Sequence, residues 1–369
     1  MTDANLSQSL PNAANPDSFS SSHTLKEILT QPVAWQAALA EVASKQAALN
    51  SLWASGGFSE IIVTGCGSTH YLSQAVAPLL QQQLGLPARA LPASELLLFS
   101  KMFLAPKARP LLLTISRSGR TTETVRATKF FKATWGGPVL NIGCYPDTEL
   151  VQESDLAITI NEGQEESVVQ TRSFSSMLVA AQAVVTVLSE AAQFESMQKL
   201  PSLGAEIISS QHTLARYLGL EAGFERFYFL GSGLQYGLAN EANLKMKEMS
   251  LSVAEAFHFM EFRHGPMSMV NDRTLVIGML SDKARSFELD VLREMRALGG
   301  KTLVLSDEAA PPEAADFQVN FNSGLPETRR AVLNLPVLQL LGYYRAIANG
   351  QNPDQPHNLT AVIVLNADT

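Results

Sequence analysis

The sequence predicts an α/β protein, a tandem repeat of two three-layer α/β/α domains, each built on a parallel sheet. Two observations carry this expectation. Residues 61–65 (IIVTG) and 227–231 (FYFLG) are apolar runs that end in Gly-x-Gly turns, Gly65-Cys66-Gly67 and Gly231-Ser232-Gly233, each followed by a helical pattern. In both halves further short apolar runs alternate with helical segments, as in strands buried on both faces of a parallel sheet. At 369 residues the chain is long enough for two such cores.

Taken in order, residues 24–52 have helical periodicity, broken near Pro32. The strand at 61–65 leads through Ser68 and Thr69 into a helix ending near Leu84. A strand at 110–115 (PLLLTI) closes in Ser116-Arg117-Ser118-Gly119-Arg120-Thr121 and opens another helix. Its counterpart at 274–280 ends in Ser281-Asp282, with a helix predicted over 286–297. Strands at 139–143 and 156–160 match those at 301–305 and 317–321. The halves divide near 200–211 (LPSLGAEIISSQ), giving a first domain over 24–200 and a second over 211–369. Residues 1–23 are polar and read as a disordered lead-in, without the basic flank and apolar centre of a signal peptide.

The stretch 238–266 has no Pro or Gly before Gly265, which predicts one long helix running into an irregular loop. On it Glu241, Lys245, Glu248, Ser252 and Glu255 fall within an arc of roughly 80°. Ala242, Met246, Met249, Val253 and Ala256 flank that arc on one side, Leu244 and Leu251 on the other. Charges between two apolar faces imply carboxylates and an amine in a partly dry place, with His264 arriving shortly after. Ordinary (i, i+4) pairing is the competing reading of the same spacing.

Charge and composition exclude several classes. The net charge of -8 argues against a nucleic-acid surface, although one phosphate can still be held by backbone N–H groups. No apolar run approaches membrane-spanning length, and a cytoplasmic protein is expected. Two cysteines, Cys66 and Cys144, give neither a disulfide framework nor metal-ligand spacing, so no metal or cofactor is expected. His70 stands where a dinucleotide fingerprint needs its third glycine, and a P-loop lysine is missing. Ser116, Ser118 and Thr121 around Gly119, with Ser68 and Thr69 after Gly67, form two hydroxyl-rich loops at helix starts, suited to an anion. Helix capping alone is the plainer use of such hydroxyls.

SRSGRTTET, TGCGST, NEANLKMKEMS, AEAF, RHGP and DQPHNL together resemble the sugar isomerase (SIS) family. They are most similar to the isomerase half of glucosamine-6-phosphate synthase and its relatives without a glutaminase half. The likeness runs in order from about Leu25 to Leu365. It implies that Ser116, Arg117, Ser118 and Thr121, with Thr69, hold a sugar phosphate. Cys66, Gly67, Ser68 and Glu241 would lie on the sugar side. Glu248 would be the base moving a proton between the first two carbons, with Lys245 beside it. His264 would open the sugar ring from the partner subunit of an obligate homodimer. The chain leaves no room for a glutaminase domain, so glutamine is not the expected nitrogen source. Where the synthase carries its Schiff-base lysine, this chain has Ala361. The expected reaction is therefore isomerisation of an amino-sugar phosphate with loss of ammonia. A fructosamine-6-phosphate deglycase and a non-catalytic sugar-phosphate sensor are the alternatives. Arg120 and Arg172 support either the phosphate or the surface, and His70 and His258 carry no assigned role.

Overall fold

A computed structural model describes residues 22–363. In the first half α1 (His23–Leu29), α2 (Gln31–Ser44) and α3 (Gln46–Ala54) precede β1 (Glu60–Gly65), α4 (Ser68–Leu84) and β2 (Ala88–Pro92). Then come α5 (Ala93–Leu98), β3 (Pro110–Ser116), α6 (Thr122–Trp135), β4 (Val139–Gly143), β5 (Leu156–Thr159) and α7 (Arg172–Glu190). α8 (Leu200–Leu220) leads to β6 (Arg226–Gly231), α9 (Gln235–Ser250), β7 (Val253–Phe257) and β8 (Thr274–Met279). α10 (Arg285–Ala297), β9 (Lys301–Ser306), β10 (Phe317–Asn320) and α11 (Leu335–Ala348) complete the second half.

The strands form two five-stranded parallel sheets, ordered β2-β1-β3-β4-β5 and β7-β6-β8-β9-β10, so the duplication is one of topology. In this order the chain reverses between the first and third strands, and ligands bind at that switch, beyond the strands' carboxyl ends. β1, β3, β4, β6 and β8 are buried at nearly every position, which is why they read as unbroken apolar runs.

Two expected bounds gain detail and one helix is corrected. The lead-in lies outside the described residues up to position 21, but Ser22 caps α1, and His23 is already helical. The divide at 200–211 lies between the two sheets and is helical, the first half of α8, where Gly204 lies so close to Trp35 that a Cβ would fall 2.2 Å from the ring. The helix predicted from Leu238 stops at Ser250, because Leu251 takes a left-handed φ of 56°. Ser252, Val253, Glu255 and Ala256 therefore lie beyond the helix, the last three of them on strand β7.

The length and composition of residues Arg172–Leu220 would allow a membrane span, but 78% of the apolar window is buried inside the protein. α7 is apolar because it runs through the core. One apolar cluster joins both halves, from Ile28 and Trp35 to Leu341 and Tyr343. Within it α9 crosses α4 so closely that a Cβ on Gly237 would sit 2.4 Å from the Ala75 amide nitrogen. That approach draws the second half's charged helix against the start of α4. Gly237→Ala should lower the stability measured by urea unfolding by about 1–3 kcal/mol, because it overpacks a backbone contact. An unchanged midpoint would show that the two helices can part without cost.

Candidate functional site

At the carboxyl end of β1, Gly67 turns the chain with a φ of 57° and leaves Ser68 at the first position of α4. Thr69 Oγ1 accepts from Cys66 N and donates to Cys66 O, both at 2.9 Å, so this hydroxyl shapes the turn. After β3, Ser116 Oγ accepts from Gly119 N at 3.1 Å and Ser118 Oγ from Arg120 N at 3.2 Å. Thr121, at the start of α6, makes no side-chain bond to its own helix. Simple helix capping thus describes none of these hydroxyls: Thr69, Ser116 and Ser118 bond within their own turns, and Thr121 makes no capping bond.

α9 brings the charge. Lys245 is 1% exposed, and its Nζ donates to Ser68 Oγ at 3.0 Å and to the Glu248 carboxylate, with Glu241 Oε1 3.4 Å away. Burial works against its charged form, but Glu241 and Glu248 outweigh this and hold the ammonium above its ordinary value. Glu241 is buried too, and desolvation pushes its carboxyl up to about 8 despite Lys245. The Glu248 side chain keeps 20% exposure. One carboxylate is thus sealed in, and the other is open.

The open side faces a cavity of about 170 Å³. Cys66, Gly67, Ser68, Arg117, Thr121, Lys245 and Glu248 line it, as do Glu123, residues 168–170, Leu359, Thr360, Ala361 and Ile363. Seven of the expected site residues therefore meet in one place. Thr69, Ser116, Ser118, Glu241 and His264 stand outside the lining, His264 on an exposed turn before Gly265. Arg117 points into protein: it donates to Val168 O and Ala361 O, both at 3.0 Å, and pairs with Glu165 at 3.4 Å. Arg172 bonds Thr30 Oγ1 and Gln164 O, and Arg120 is exposed. His258 stacks on Tyr236 with ring centres 3.7 Å apart, and His70 meets Gln74. Among the described residues no group of three or more His, Cys, Asp or Glu could hold a metal ion.

Sequence reasoning missed Glu123 and Gln170 as cavity walls, whereas Ala361 lines the cavity as its likeness to the synthase lysine position implies. Glu123 sits in the first turn of α6, where an acid is unremarkable. The 164–171 loop is held by side-chain bonds, one of them from distant α1, that no helix or strand period reveals. Glu165 accepts from Thr171 N at 2.7 Å and Ser173 N at 3.1 Å, and Glu27 of α1 accepts from Glu166 N at 2.6 Å.

The matching place in the second half is built differently. A cavity of about 790 Å³ lies by Ser232, Gly233, Ser281 and Asp282. There, however, Ser281 N donates to Glu288 at 2.7 Å and Asp282 N to Glu327 at 2.9 Å. Carboxylates of the chain itself take the loop amides.

A model of the SIS domain matches residues 59–187 and again 223–341. The chain is 29% identical over 329 residues to glutamine–fructose-6-phosphate aminotransferase (isomerizing) of Xylella fastidiosa, covering 84% of this chain and 52% of that protein. It spans about half the length of the curated relatives it matches. Tagatose-6-phosphate ketose/aldose isomerase from Escherichia coli has a TM-score of 0.84 at 24% identity, covering 96% of this chain and 98% of that one. Glucosamine-6-phosphate deaminase from Thermotoga maritima gives 0.74 at 26% identity, covering 93% and 100%.

A native carboxyl at about 8 against an ordinary 4.5 binds its proton more tightly folded than unfolded, so Glu241 withdraws stability as pH rises between those values. The stability difference between wild type and Glu241→Gln, from urea unfolding at pH 4 to 9, should fall across that interval and level off above it. Parallel pH courses for the two proteins would mean that Glu241 ionises normally.

Proposed function

Since the chain belongs to the SIS family of phosphosugar isomerases, we propose that it isomerises an amino-sugar 6-phosphate and releases ammonia, in the cytoplasm. The observation that carries this reading is the Lys245–Glu248 pair, open to a cavity walled by the Ser68 and Thr121 turns. Thr121 and the positive end of α6 would take the phosphate, fixing the sugar so that binding energy becomes orientation. Glu248 would remove the proton from carbon 2 of the opened aldose and return it to carbon 1. The amino group then stands on a carbon–nitrogen double bond, to which water adds and from which ammonia leaves. The sum is one water consumed and one ammonia released, with no oxidant. Lys245 would keep Glu248 ionised and steady the negative oxygen of the enediol-like intermediate.

Ala361 lines the cavity with a methyl group and offers no amine to form an imine with a ketose. This favours removal of nitrogen over its installation. The small volume, roofed by Leu359 to Ala361, favours a single hexose phosphate over one with an amino acid on its nitrogen. His264, exposed and outside the lining of its own chain's cavity, fits a ring-opening role in the site of a second copy.

With glucosamine 6-phosphate the protein should release ammonia, and Glu248→Gln should lower kcat by about 10²–10⁴-fold, the span of a general base. Amine release from fructoselysine 6-phosphate without ammonia from the amino sugar would instead mark a deglycase. Unaltered turnover in Glu248→Gln would reject the base.

Mixing Glu248→Gln chains with His264→Ala chains and letting subunits exchange should restore about a quarter of wild-type activity, since each mixed dimer then holds one intact composite site. No recovery after proven exchange would place both residues in one subunit's site.

A further inference from the structure

The cavity's charges are unevenly committed. Its two lining cations are already matched: Arg117 pairs with Glu165, and Lys245 with Glu248, while burial keeps Glu241 protonated. One further carboxylate faces the lumen, Glu123 from the first turn of α6. Glu123 has no part in the proton transfer proposed above. Its position is also the wrong one for a purely anionic ligand, because it shares the lumen with Thr121 and the α6 terminus that would receive the phosphate. A carboxylate beside a bound phosphate repels it, unless the ligand brings a positive charge of its own.

From this arrangement we infer that Glu123 is the specificity-determining residue that recognises the protonated amine of the substrate. This inference rests on the amino-sugar reading and deepens it. The ligand class is a hexose phosphate with an ammonium group at its reacting end, and the two charges of the ligand meet opposite partners. The phosphate lies at the α6 terminus, and the ammonium faces Glu123. A non-amino hexose phosphate would leave the carboxylate uncompensated and bind less well.

Glu123 is held for this role by Cys66, whose Sγ donates to Glu123 Oε2 at 3.9 Å and lies 3.4 Å from Thr124 Oγ1. Burial pushes the Cys66 thiol up, so it stays a neutral donor and adds no competing charge. The turn after β1 and the start of α6 thus orient one carboxylate between them.

The test measures dissociation constants of two unreactive open-chain analogues, 2-amino-2-deoxyglucitol 6-phosphate and glucitol 6-phosphate, on the full chain. Wild type should prefer the amine at least tenfold. Glu123→Gln keeps the shape and loses the charge, so it should lose that preference while binding glucitol 6-phosphate at least as well. Glu123→Asp, with the same charge one methylene shorter, should keep part of the preference. A preference unchanged in Glu123→Gln overturns this inference and leaves the amino-sugar reading standing. Equal loss in the Asp and Gln variants also overturns it, since charge would then not be the determinant. Equal binding of both analogues by wild type overturns the inference and the amino-sugar reading together.

Discussion

A lysine ammonium withdrawn from water is the constraint on which the rest of this structure depends. Lys245 belongs to the second half, yet one of its donors reaches Ser68 in the first. Removing one partner from such a buried pair typically costs about 3–5 kcal/mol, because the remaining charge is left uncompensated. Its carboxylate partners travel with it on α9, so parting the halves would break its bond to Ser68. The close passage of α9 over α4 at Gly237 and the shared apolar cluster keep the ammonium beside its partners. Glu248 is then the member left within reach of solvent, set against a buried cation.

A second network holds the opposite wall. Arg117 gathers the carbonyl of Val168, the carbonyl of Ala361 and the carboxylate of Glu165. Glu165 and Glu27 in turn take the amides of the loop itself. A segment with little regular structure is thus fixed by side chains from α1, the β3 turn and its own ends. The family resemblance led to the expectation that Arg117 holds phosphate. In the structure Arg117 lines the cavity while its two Nη atoms donate to protein groups.

The legible part of the fold was the part written in local pattern. Buried strands such as β1, β3 and β4 show as apolar runs, and the two Gly-x-Gly turns mark the repeat. Glu241, Lys245 and Glu248 share a helix face by spacing alone, so their meeting could be foreseen. β7 was hidden because Val253 and Ala256 continue the spacing of α9, and only the left-handed Leu251 separates helix from strand. β2 was hidden because it is a half-exposed edge strand ending in Pro92. Glu123 and Gln170 became visible as cavity walls only through contacts between elements distant in the sequence.

The two halves of the chain are alike in topology and unlike in employment. In the second half Glu288 and Glu327 occupy the amides that an incoming anion would need, so that crevice is already tenanted by its own chain. A duplicated fold has thereby been divided by labour. The first half keeps its crevice beside Thr121, while the second spends its loop amides on its own carboxylates and supplies α9 to its neighbour's cavity. Two matching sheets thus leave one crevice per chain whose turn is joined by the Lys245–Glu248 pair.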